Sequence, residues 1–342
     1  MAKKYTVTET WIVNNADPVE SSSAEQVYER LERVSGRLPV IDVPQDFHEE
    51  EHFVDEATVR DFAAHSGGAH SVLDIGCGDG WPLLRLAPWF EAVTGIDASQ
   101  RRVDVCRANA ERLGLKNVTV VKMSAEALDF PDNRFDAVVA SSAIEQTKDP
   151  YAALREVYRV LKPGGRLRIH FEPYEGEKKG LTEQVFLSET ADSLGYHYVI
   201  RHSRPPWERS YLVRFAVNPE TREEFRKLAE LLERVGPNPS QTPEIGIQFL
   251  ERNQANVSGA NWYELEHFTS ATLKETLEET GFVRVRVSWS AGTLSRSLWQ
   301  RIQSSGMNDQ QMQDVCQGLA DLALKLDAPV GLGEPVAAVK PS

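Results

Sequence analysis

Five short apolar runs, separated by amphipathic segments, constrain the possible folds of this chain more than any other feature. The runs lie at residues 71–75, 91–97, 117–123, 135–141 and 165–171, and the helical segments between them lie at 81–87, 99–113 and 151–161. A strand that is apolar along its whole length is buried on both faces, as in a parallel sheet covered by helices. The alternation therefore predicts an α/β fold built from βαβ units.

The alternation of strands and helices begins near residue 69 and is interrupted once. Before it, the sequence predicts a helical preface with helices at 23–34 and 56–64. After residue 174 come strand-like segments and a charged helix over 219–236, and the alternation returns at residue 267, with a helical segment over 295–327 and a last short strand. We therefore divide the chain into a preface or lid (1–68), a core (69–174), an inserted lid or substrate-binding subdomain (175–266) and the remainder of the core (267–342).

The composition argues against several kinds of protein. The 342 residues carry a formal net charge of −13, which disfavours nucleic acid and anionic membranes as partners. No apolar run is long enough to span a membrane, and the first residues lack the apolar region of a secretory signal. Three scattered cysteines suit a reducing compartment, so we expect a cytoplasmic protein. The segment HEEEH (48–52) fits a zinc-protease pattern, but it is very acidic and has no evident third ligand, so we expect no metal.

A glycine-rich turn follows the first apolar run, in the segment VLDIGCGDGWP (72–82). Gly76, Gly78 and Gly80 let backbone amides approach a ligand closely at the start of a helix. Their spacing is neither that of the dinucleotide fingerprint nor that of a phosphate-binding P-loop. Asp74 lies inside the strand and suits a ligand with a positive amino group, and Asp97 ends the second strand, where a carboxylate would bind ribose hydroxyls. The turn alone leaves a dinucleotide, a phosphate or another nucleoside cofactor open.

The later segments resemble one family closely. The sequence SAEALDFPDNRFDAVVASSAIEQTKDPYAALREVYRVLKPGGRLRI (124–169) is similar to class I S-adenosylmethionine-dependent methyltransferases, and nearest to the ubiquinone/menaquinone-biosynthesis and sterol-type group. The match covers 71–171, together with 268–290 and 335–340. The resemblance implies a Rossmann-like, seven-stranded, mostly parallel sheet whose last strand (335–340) is antiparallel. It also implies S-adenosyl-L-methionine as cofactor and S-adenosyl-L-homocysteine as product, without a metal.

The same resemblance implies roles for residues along the carboxyl edge of the sheet. The three glycines would carry the methionine part of the cofactor, Asp74 its amino group and Asp97 both ribose hydroxyls. At residue 124 the family often has an acid near the adenine, whereas this chain has serine. The further cofactor candidates are Ala98, Ser124, Ala125, Glu126 and Ser141.

The methyl acceptor should lie over the same edge, and three groups of residues are candidates to contact it. Glu145 and Gln146 follow the fourth strand, and Glu145 would hold an amine or act as a base, unless it is a solvated carboxylate at a helix start. His170 and Tyr174 end the fifth strand, and His170 is either catalytic or a core histidine. Trp81 follows the glycine turn and either packs at the edge of the cofactor or belongs to the core.

The inserted segment contributes further candidates for acceptor binding. YHYVIRHSRPPWERSY (196–211) interleaves aromatic rings with cations, among them Arg201, His202 and Arg204, and ends at Tyr211. Such a mixture suits a planar or anionic small molecule, although an exposed strand pair with solvated charges would have the same composition.

These observations predict a methyltransferase whose acceptor is a small molecule, methylated on oxygen, nitrogen or sulfur by in-line displacement. The cations of the insertion favour an acceptor with a carboxylate or another anion, whereas Glu145 favours an amine. A macromolecular acceptor, RNA or protein, and a non-catalytic cofactor-binding homologue are the alternatives. We expect a monomer or a homodimer.

Overall fold

The computed structural model describes residues 5–27, 46–172, 180–190, 192–203 and 205–342. The described residues fall into two compact units. One lies within Met1–Val27 and Glu177–His267, and we call it the antiparallel unit. The other lies within Tyr28–Gly176 and Phe268–Ser342, and we call it the parallel unit.

The secondary structure alternates in the parallel unit and is mostly strand in the antiparallel unit. Within the described ranges the helices are α1 (Val7–Ala16), α2 (Ser23–Gln26), α3 (Glu50–Ser66), α4 (Leu83–Leu86), α5 (Gln100–Arg112), α6 (Pro150–Val160), α7 (Pro219–Val235), α8 (Ile247–Arg252), α9 (Ser270–Thr280), α10 (Ala291–Gln303) and α11 (Asp309–Lys325). The strands are β1 (Val19–Glu20), β2 (Ser71–Ile75), β3 (Ala92–Asp97), β4 (Val118–Lys122), β5 (Phe135–Ser141), β6 (Leu161–His170), β7 (Leu181–Glu189), β8 (Leu194–Ser203), β9 (Pro206–Phe215), β10 (Val257–Glu266), β11 (Val283–Val287) and β12 (Val336–Val339).

The parallel unit contains the predicted seven-stranded sheet, in the order β11-β12-β6-β5-β2-β3-β4. Neighbouring strands from β4 to β6 pair in parallel, whereas β12 runs antiparallel to both β6 and β11. The predicted α/β class, and the antiparallel last strand that the resemblance implied, are therefore confirmed. Strand β2 lies at the centre of the five parallel strands, with β3 on one side and β5 on the other, and the chain order reverses there.

Helices cover both faces of this sheet because its strands present apolar side chains to both sides. On one face, Leu154 of α6 and Leu273 of α9 pack against strands β2, β5 and β6. On the other face, Phe62 of α3 and Val103 of α5 pack against β2 and β5. The helix predicted over 99–113 is α5, and the Ser99 hydroxyl accepts a hydrogen bond from the Arg102 amide at its start.

A buried ion pair joins one of these helices to the sheet. Arg168 in β6 donates from Nε and Nη2 to the carboxylate of Asp61 in α3, at 2.8 and 3.0 Å. The same carboxylate accepts from the Ala291 amide at the start of α10, at 2.8 Å. Both charged side chains are almost completely excluded from solvent, with 1% and 0% of their surface exposed. Asp61 thus connects α3, β6 and α10 at one point.

The antiparallel unit is a five-stranded sheet in the order β1-β10-β9-β8-β7. Apolar side chains of α1, α7 and α8, including Trp11, Phe225 and Phe249, pack in one cluster with those of the sheet. The carboxylate of Glu9 in α1 is fully buried and accepts hydrogen bonds from Tyr211 Oη at 2.8 Å and pairs with Arg209 Nε at 3.0 Å. These contacts place α1 in this unit, whereas we expected residues 1–68 to form a single preface.

Several other elements differ from the sequence-based expectation. The helix expected over 295–327 is two helices, α10 and α11, because the chain turns at Gly306 (φ +68°) and Asn308 caps α11. The helix expected over 56–64 is longer and begins at Glu50. Strands β7 and β10 were not predicted. Of the helix expected over 23–34, only Ser23–Gln26 lies in α2, and residues 28–34 lie outside the described residues. None of the described helices is both long enough and apolar enough to cross a membrane.

We predict that Asp61→Asn destabilises the fold strongly. Asparagine keeps the shape of the side chain but leaves the buried Arg168 guanidinium without a counter-charge, which costs about 3–5 kcal/mol. The free energy of unfolding in urea measures this loss.

Glu51→Gln is the matched control, because it removes an exposed ion pair that is also made by a carboxylate of α3. Glu51 in α3 pairs with Arg296 in α10 at 3.0 Å, with 72% and 51% of their side chains exposed. A surface pair of this kind contributes at most about 1 kcal/mol. Equal losses in the two variants would show that the buried pair is not the dominant connection.

Candidate functional site

The parallel strands of the parallel unit end at one edge of the sheet, and the predicted cofactor residues follow these strand ends. The glycine turn follows β2, Asp97 ends β3, Ser124 follows β4, Ser141 ends β5 and His170 ends β6. Such an edge, where the strand order reverses beside the central strand, is where open α/β sheets bind ligands.

The glycine turn adopts backbone conformations that favour glycine at all three positions. The φ angles of Gly76, Gly78 and Gly80 are +72°, +51° and +118°. The Gly76 amide donates to the Ile96 carbonyl of β3 at 2.8 Å, which fixes the start of the turn against the neighbouring strand.

The three glycines differ in what a side chain would meet. A Cβ on Gly76 would come within 2.4 Å of the Ala143 Cβ, and a Cβ on Gly80 would come within 2.4 Å of Leu84 Cδ1. Around a Cβ on Gly78 there is nothing within 4 Å among the described residues. Packing therefore requires two of the glycines, and the third leaves bare backbone open to a ligand.

Asp97 holds this open part of the turn. Its Oδ2 accepts from the Gly78 amide at 3.0 Å and its Oδ1 accepts from the Ser99 amide at 2.8 Å. Burial raises the pKa of Asp97, and the two backbone amides oppose this shift. A carboxylate at this position both fixes the turn and leaves oxygen lone pairs for further donors.

Asp74 is a buried carboxyl group without a hydrogen-bond partner. None of its surface is exposed, and neither of its oxygens has a partner of acceptable geometry in the described part of the chain. Burial raises its pKa well above the usual range, Asp97 raises it further, and the Leu83 amide only partly opposes both. An unpaired buried carboxyl group is costly, so a site that retains one is suited to a ligand that supplies a donor or a positive charge.

Glu145 is a second buried carboxyl group at the same edge. It lies in a 3-10 helix (Ile144–Gln146) that directly follows Ala143, the residue against which Gly76 packs. Its Oε1 accepts from the Glu172 amide at 2.7 Å, and its Oε2 has no partner among the described residues. Burial raises the pKa of Glu145 to about 7. The side chain is therefore not the solvated carboxylate that we considered, and it is able to gain or lose a proton near neutral pH.

His170 packs within the core of the parallel unit. Its ring lies against Phe62, with centroids 4.4 Å apart, and its Nε2 lies 3.6 Å from Asp61 Oδ1. Burial lowers its pKa, and the Arg168 guanidinium contributes in the same direction against the opposing effect of Asp61. These contacts fit the core interpretation better than the catalytic one, which stays a prediction.

The other residues predicted at this edge vary in exposure. Ser124 is exposed and its hydroxyl is within 3.4 Å of a Glu126 oxygen, while Glu126 Oε1 accepts from the Asp149 amide at 2.8 Å. Trp81 is half-buried next to the turn, and its Nε1 has no partner among the described residues. Ala98 is exposed, Ala125 is buried, and Ser141 and Gln146 are half-buried.

The residues predicted from the inserted segment lie in the antiparallel unit and have partners there. Arg201 Nε donates to Glu208 at 2.6 Å, the His202 ring stacks on Trp207 with centroids 5.5 Å apart, and Tyr211 is buried against Glu9. Tyr174 and Arg204 lie outside the described residues.

Sequence reasoning missed Asp61, which lies beside His170. The signal that would have identified it is the face of α3, where Phe53, Ala57 and Asp61 follow one another at intervals of four residues, with His65 next in the series. An acid on an otherwise apolar helix face indicates a buried counter-charge.

Comparisons with known proteins find a family match within the parallel unit. Residues 73–169 match the family described as a methyltransferase domain. The chain is 39% identical over 106 residues to the uncharacterized methyltransferase YcgJ of Bacillus subtilis, which is 30% of this chain and 42% of that protein. It is 39% identical over 101 residues to the demethylmenaquinone methyltransferase of Listeria welshimeri (28% and 42%), and 37% identical over 114 residues to the sterol 24-C-methyltransferase of Aspergillus fumigatus (32% and 30%).

The matched region contains the glycine turn, Asp74, Asp97 and Glu145. The family resemblance drawn from the sequence is confirmed for this region. In each of these comparisons the chain spans less than half the length of the curated relative.

We predict that Glu145 makes the stability of the fold depend on pH. Its pKa is raised to about 7 when folded from 4.5, so the folded chain binds the proton more tightly. The corresponding stability is fully present below about pH 4.5 and is lost as the pH rises through about 7. Between about pH 5 and pH 8 the wild type should lose ~2–3 kcal/mol more unfolding free energy than Glu145→Gln.

Denaturant unfolding at the two pH values measures the difference, and Glu279→Gln, on the exposed side of α9, is the control. A wild-type pH dependence that survives in Glu145→Gln would show that another group is responsible.

Proposed function

We propose that this protein transfers a methyl group from S-adenosylmethionine to a small-molecule acceptor. The premise is that residues 73–169 are a class I S-adenosylmethionine-dependent methyltransferase domain. The observation that supports it best is the buried, unpartnered carboxyl group of Asp74 beside an open glycine turn. Two of the relatives are named for small acceptors, a demethylmenaquinone and a sterol.

The residues present at the carboxyl edge fit the cofactor. A carboxylate buried without a partner suits the ammonium of the methionine part, because an opposite charge would remove the cost of burying it. The bare backbone at Gly78 allows that part to lie close to the chain. Asp97, already bound to the Gly78 and Ser99 amides, would accept from the ribose hydroxyls with its remaining lone pairs.

The chemistry asks little of the protein beyond alignment. S-adenosylmethionine, when bound, supplies a methyl group on a sulfonium centre that leaves without needing a proton. Asp97 and the glycine turn would fix the position of the donor, so that an acceptor is held in line with it and water is excluded. A base is required only where the acceptor must lose a proton.

Glu145 is the residue that we assign to the acceptor. Its free Oε2 is a buried hydrogen-bond acceptor at the cofactor edge, so it favours a substrate with an N–H or O–H group at the position to be methylated. Because its pKa is about 7, it would take up the released proton at neutral pH.

The anionic acceptor suggested by the sequence has less support. The sequence-based argument for an anionic acceptor used the cations of the inserted segment. One of these cations, Arg201, already donates to Glu208. Tyr211 is likewise bound to Glu9 within its own unit. We propose that the antiparallel unit contributes to acceptor selectivity. The support for this proposal is that most of the unit follows β6 directly in the sequence, and not the side chains of Arg201 and Tyr211.

We predict that S-adenosylhomocysteine binds the full chain and that Asp97→Ala weakens this binding at least about tenfold, because charge-assisted hydrogen bonds contribute about 1.5–3 kcal/mol each. Isothermal titration calorimetry measures the affinity. Asp129→Ala, which removes an exposed carboxylate from a loop of the same unit, should bind as the wild type does.

Transfer itself is tested by mass spectrometry, with methyl-labelled S-adenosylmethionine offered together with small amines and alcohols. Absence of S-adenosylhomocysteine binding would remove the proposal, and binding without labelling of any acceptor would favour the non-catalytic homologue.

We predict opposite effects of Asp74→Asn on stability and on binding. The substitution removes a carboxyl group that is buried without partners, so the ligand-free chain should unfold at the same temperature or higher. The affinity for S-adenosylhomocysteine should fall at least about tenfold, since the ammonium loses its counter-charge. Thermal unfolding and calorimetry on the same sample measure both effects. A variant that is destabilised but binds normally would identify Asp74 as a structural residue.

A further inference from the structure

A groove lies at the opposite, amino edge of the parallel sheet, where β6 and β11 begin and β12 ends. Its volume is about 590 Å³, which falls within the range of small-molecule sites. Its lining includes His65, Ala337 and the cationic side chains of Arg166, Arg284, Arg286 and Lys340. We call it the arginine groove.

The register of three strands builds this groove. Strand β12 lies between β6 and β11, and its Ala337 is paired with Arg168 on one side and with Arg286 on the other. One pair further along, Val339 is flanked by Arg166 and Val283. Paired residues lie on the same face of a sheet, so the small side chain of Ala337 lies between two arginines, and Arg284 lies next to them at the irregularity in the pairing of β11.

The cations of the groove differ in their counter-charges. Arg286 donates to Asp327 at 2.6 Å, and Lys340 Nζ donates to the Leu161 carbonyl at 2.7 Å. Arg166 and Arg284 have no acidic partner in the part of the chain that the structure describes. Both side chains are exposed and line the same cavity, so their positive charges are available to an anion from solvent.

The backbone of Arg284 provides an independent observation. Its φ is +52°, in the left-handed region that side chains other than those of glycine, asparagine and aspartate rarely adopt. It lies at an irregularity in the pairing of β11 with β12, between Val283 and Arg286. Glycine would adopt this conformation without strain, yet the chain keeps arginine there, and strained residues of this kind cluster at ligand sites.

We propose that the arginine groove binds a small phosphate-bearing anion between the guanidinium groups of Arg166 and Arg284. Each guanidinium offers a planar pair of donors, and a phosphate has enough oxygen acceptors to meet donors from both sides. The site lies at the amino edge, whereas the glycine turn lies at the carboxyl edge, so it does not depend on the proposed methyl transfer.

The test is calorimetric titration of the full chain with inorganic pyrophosphate, inorganic phosphate and adenosine diphosphate, at low ionic strength and with S-adenosylhomocysteine saturating. Pyrophosphate should bind, and the double variant Arg166→Gln with Arg284→Gln should weaken its binding at least about tenfold. Tighter binding of adenosine diphosphate than of pyrophosphate would identify a phosphorylated metabolite as the natural class, and the reverse order would identify the free anion.

The control removes the same charge elsewhere. Arg112 and Arg234 are exposed, and the double variant Arg112→Gln with Arg234→Gln should bind pyrophosphate as the wild type does. Absence of binding by the wild type at about 10 mM pyrophosphate would overturn the proposal. Equal weakening in both double variants would overturn it as well, because only net charge would then matter.

Arg284→Gly separates a binding role from a structural one. Glycine relieves the left-handed strain, so the thermal unfolding midpoint should rise, while the loss of the guanidinium should weaken pyrophosphate binding. A variant with unchanged pyrophosphate affinity would show that Arg284 does not contact the anion. The Asp97→Ala variant should bind pyrophosphate as the wild type does, which would show that the groove binds anions independently of the cofactor edge.

Discussion

The buried ion pair between Asp61 and Arg168 determines how both edges of the parallel sheet are arranged. Arg166, Arg168 and His170 alternate along one face of β6, so the position of one fixes the other two. Although burial alone would raise the pKa of Asp61, Arg168 and the neighbouring histidines hold it well below its usual range, so the pair remains ionised. With Arg168 anchored, Arg166 reaches the amino edge and His170 reaches the carboxyl edge. Removing the pair would disturb both edges together.

Ionisable groups with open hydrogen-bonding positions occur at both edges of this unit. At the carboxyl edge they include the buried Asp74 carboxyl group and the Oε2 of Glu145. At the amino edge they include the exposed guanidinium groups of Arg166 and Arg284. A stable fold gains nothing from a buried carboxyl group without a donor, and sites that break a local rule are expected where a ligand completes them. The carboxyl edge is therefore suited to a ligand that supplies a hydrogen-bond donor or a positive charge, whereas the exposed guanidinium groups of the amino edge suit an anion.

The sequence was sufficient for the parts of the fold that follow from local pattern. Mostly apolar runs predicted β2 to β6, and the glycine spacing located the turn, since both depend on a few adjacent residues. It was not sufficient for contacts between distant segments. Glu9 joins α1 to β9 through Tyr211, 202 positions later, and Asp61 meets Arg168, 107 positions later. Strands β7 and β10 mix polar and apolar residues without a period of two, so their sequences carry no clear strand signal. The partner of each of these buried charges is thus set by the tertiary fold and cannot be predicted from the neighbouring residues in the sequence.

The free Glu145 oxygen says more about the proposed methyl acceptor than does Arg201, which already has a partner. Arg201 would have to give up Glu208 before it bound a carboxylate, and the cost of breaking that pair would reduce any gain. Glu145 Oε2 has no bond to lose, and its burial strengthens any hydrogen bond that it accepts. A donor on the acceptor, an amine or a hydroxyl, would satisfy the one free oxygen while Glu172 keeps the other in place. For the methyl transfer proposed above, the free Glu145 oxygen therefore suits an amine or an alcohol better than an anion as acceptor.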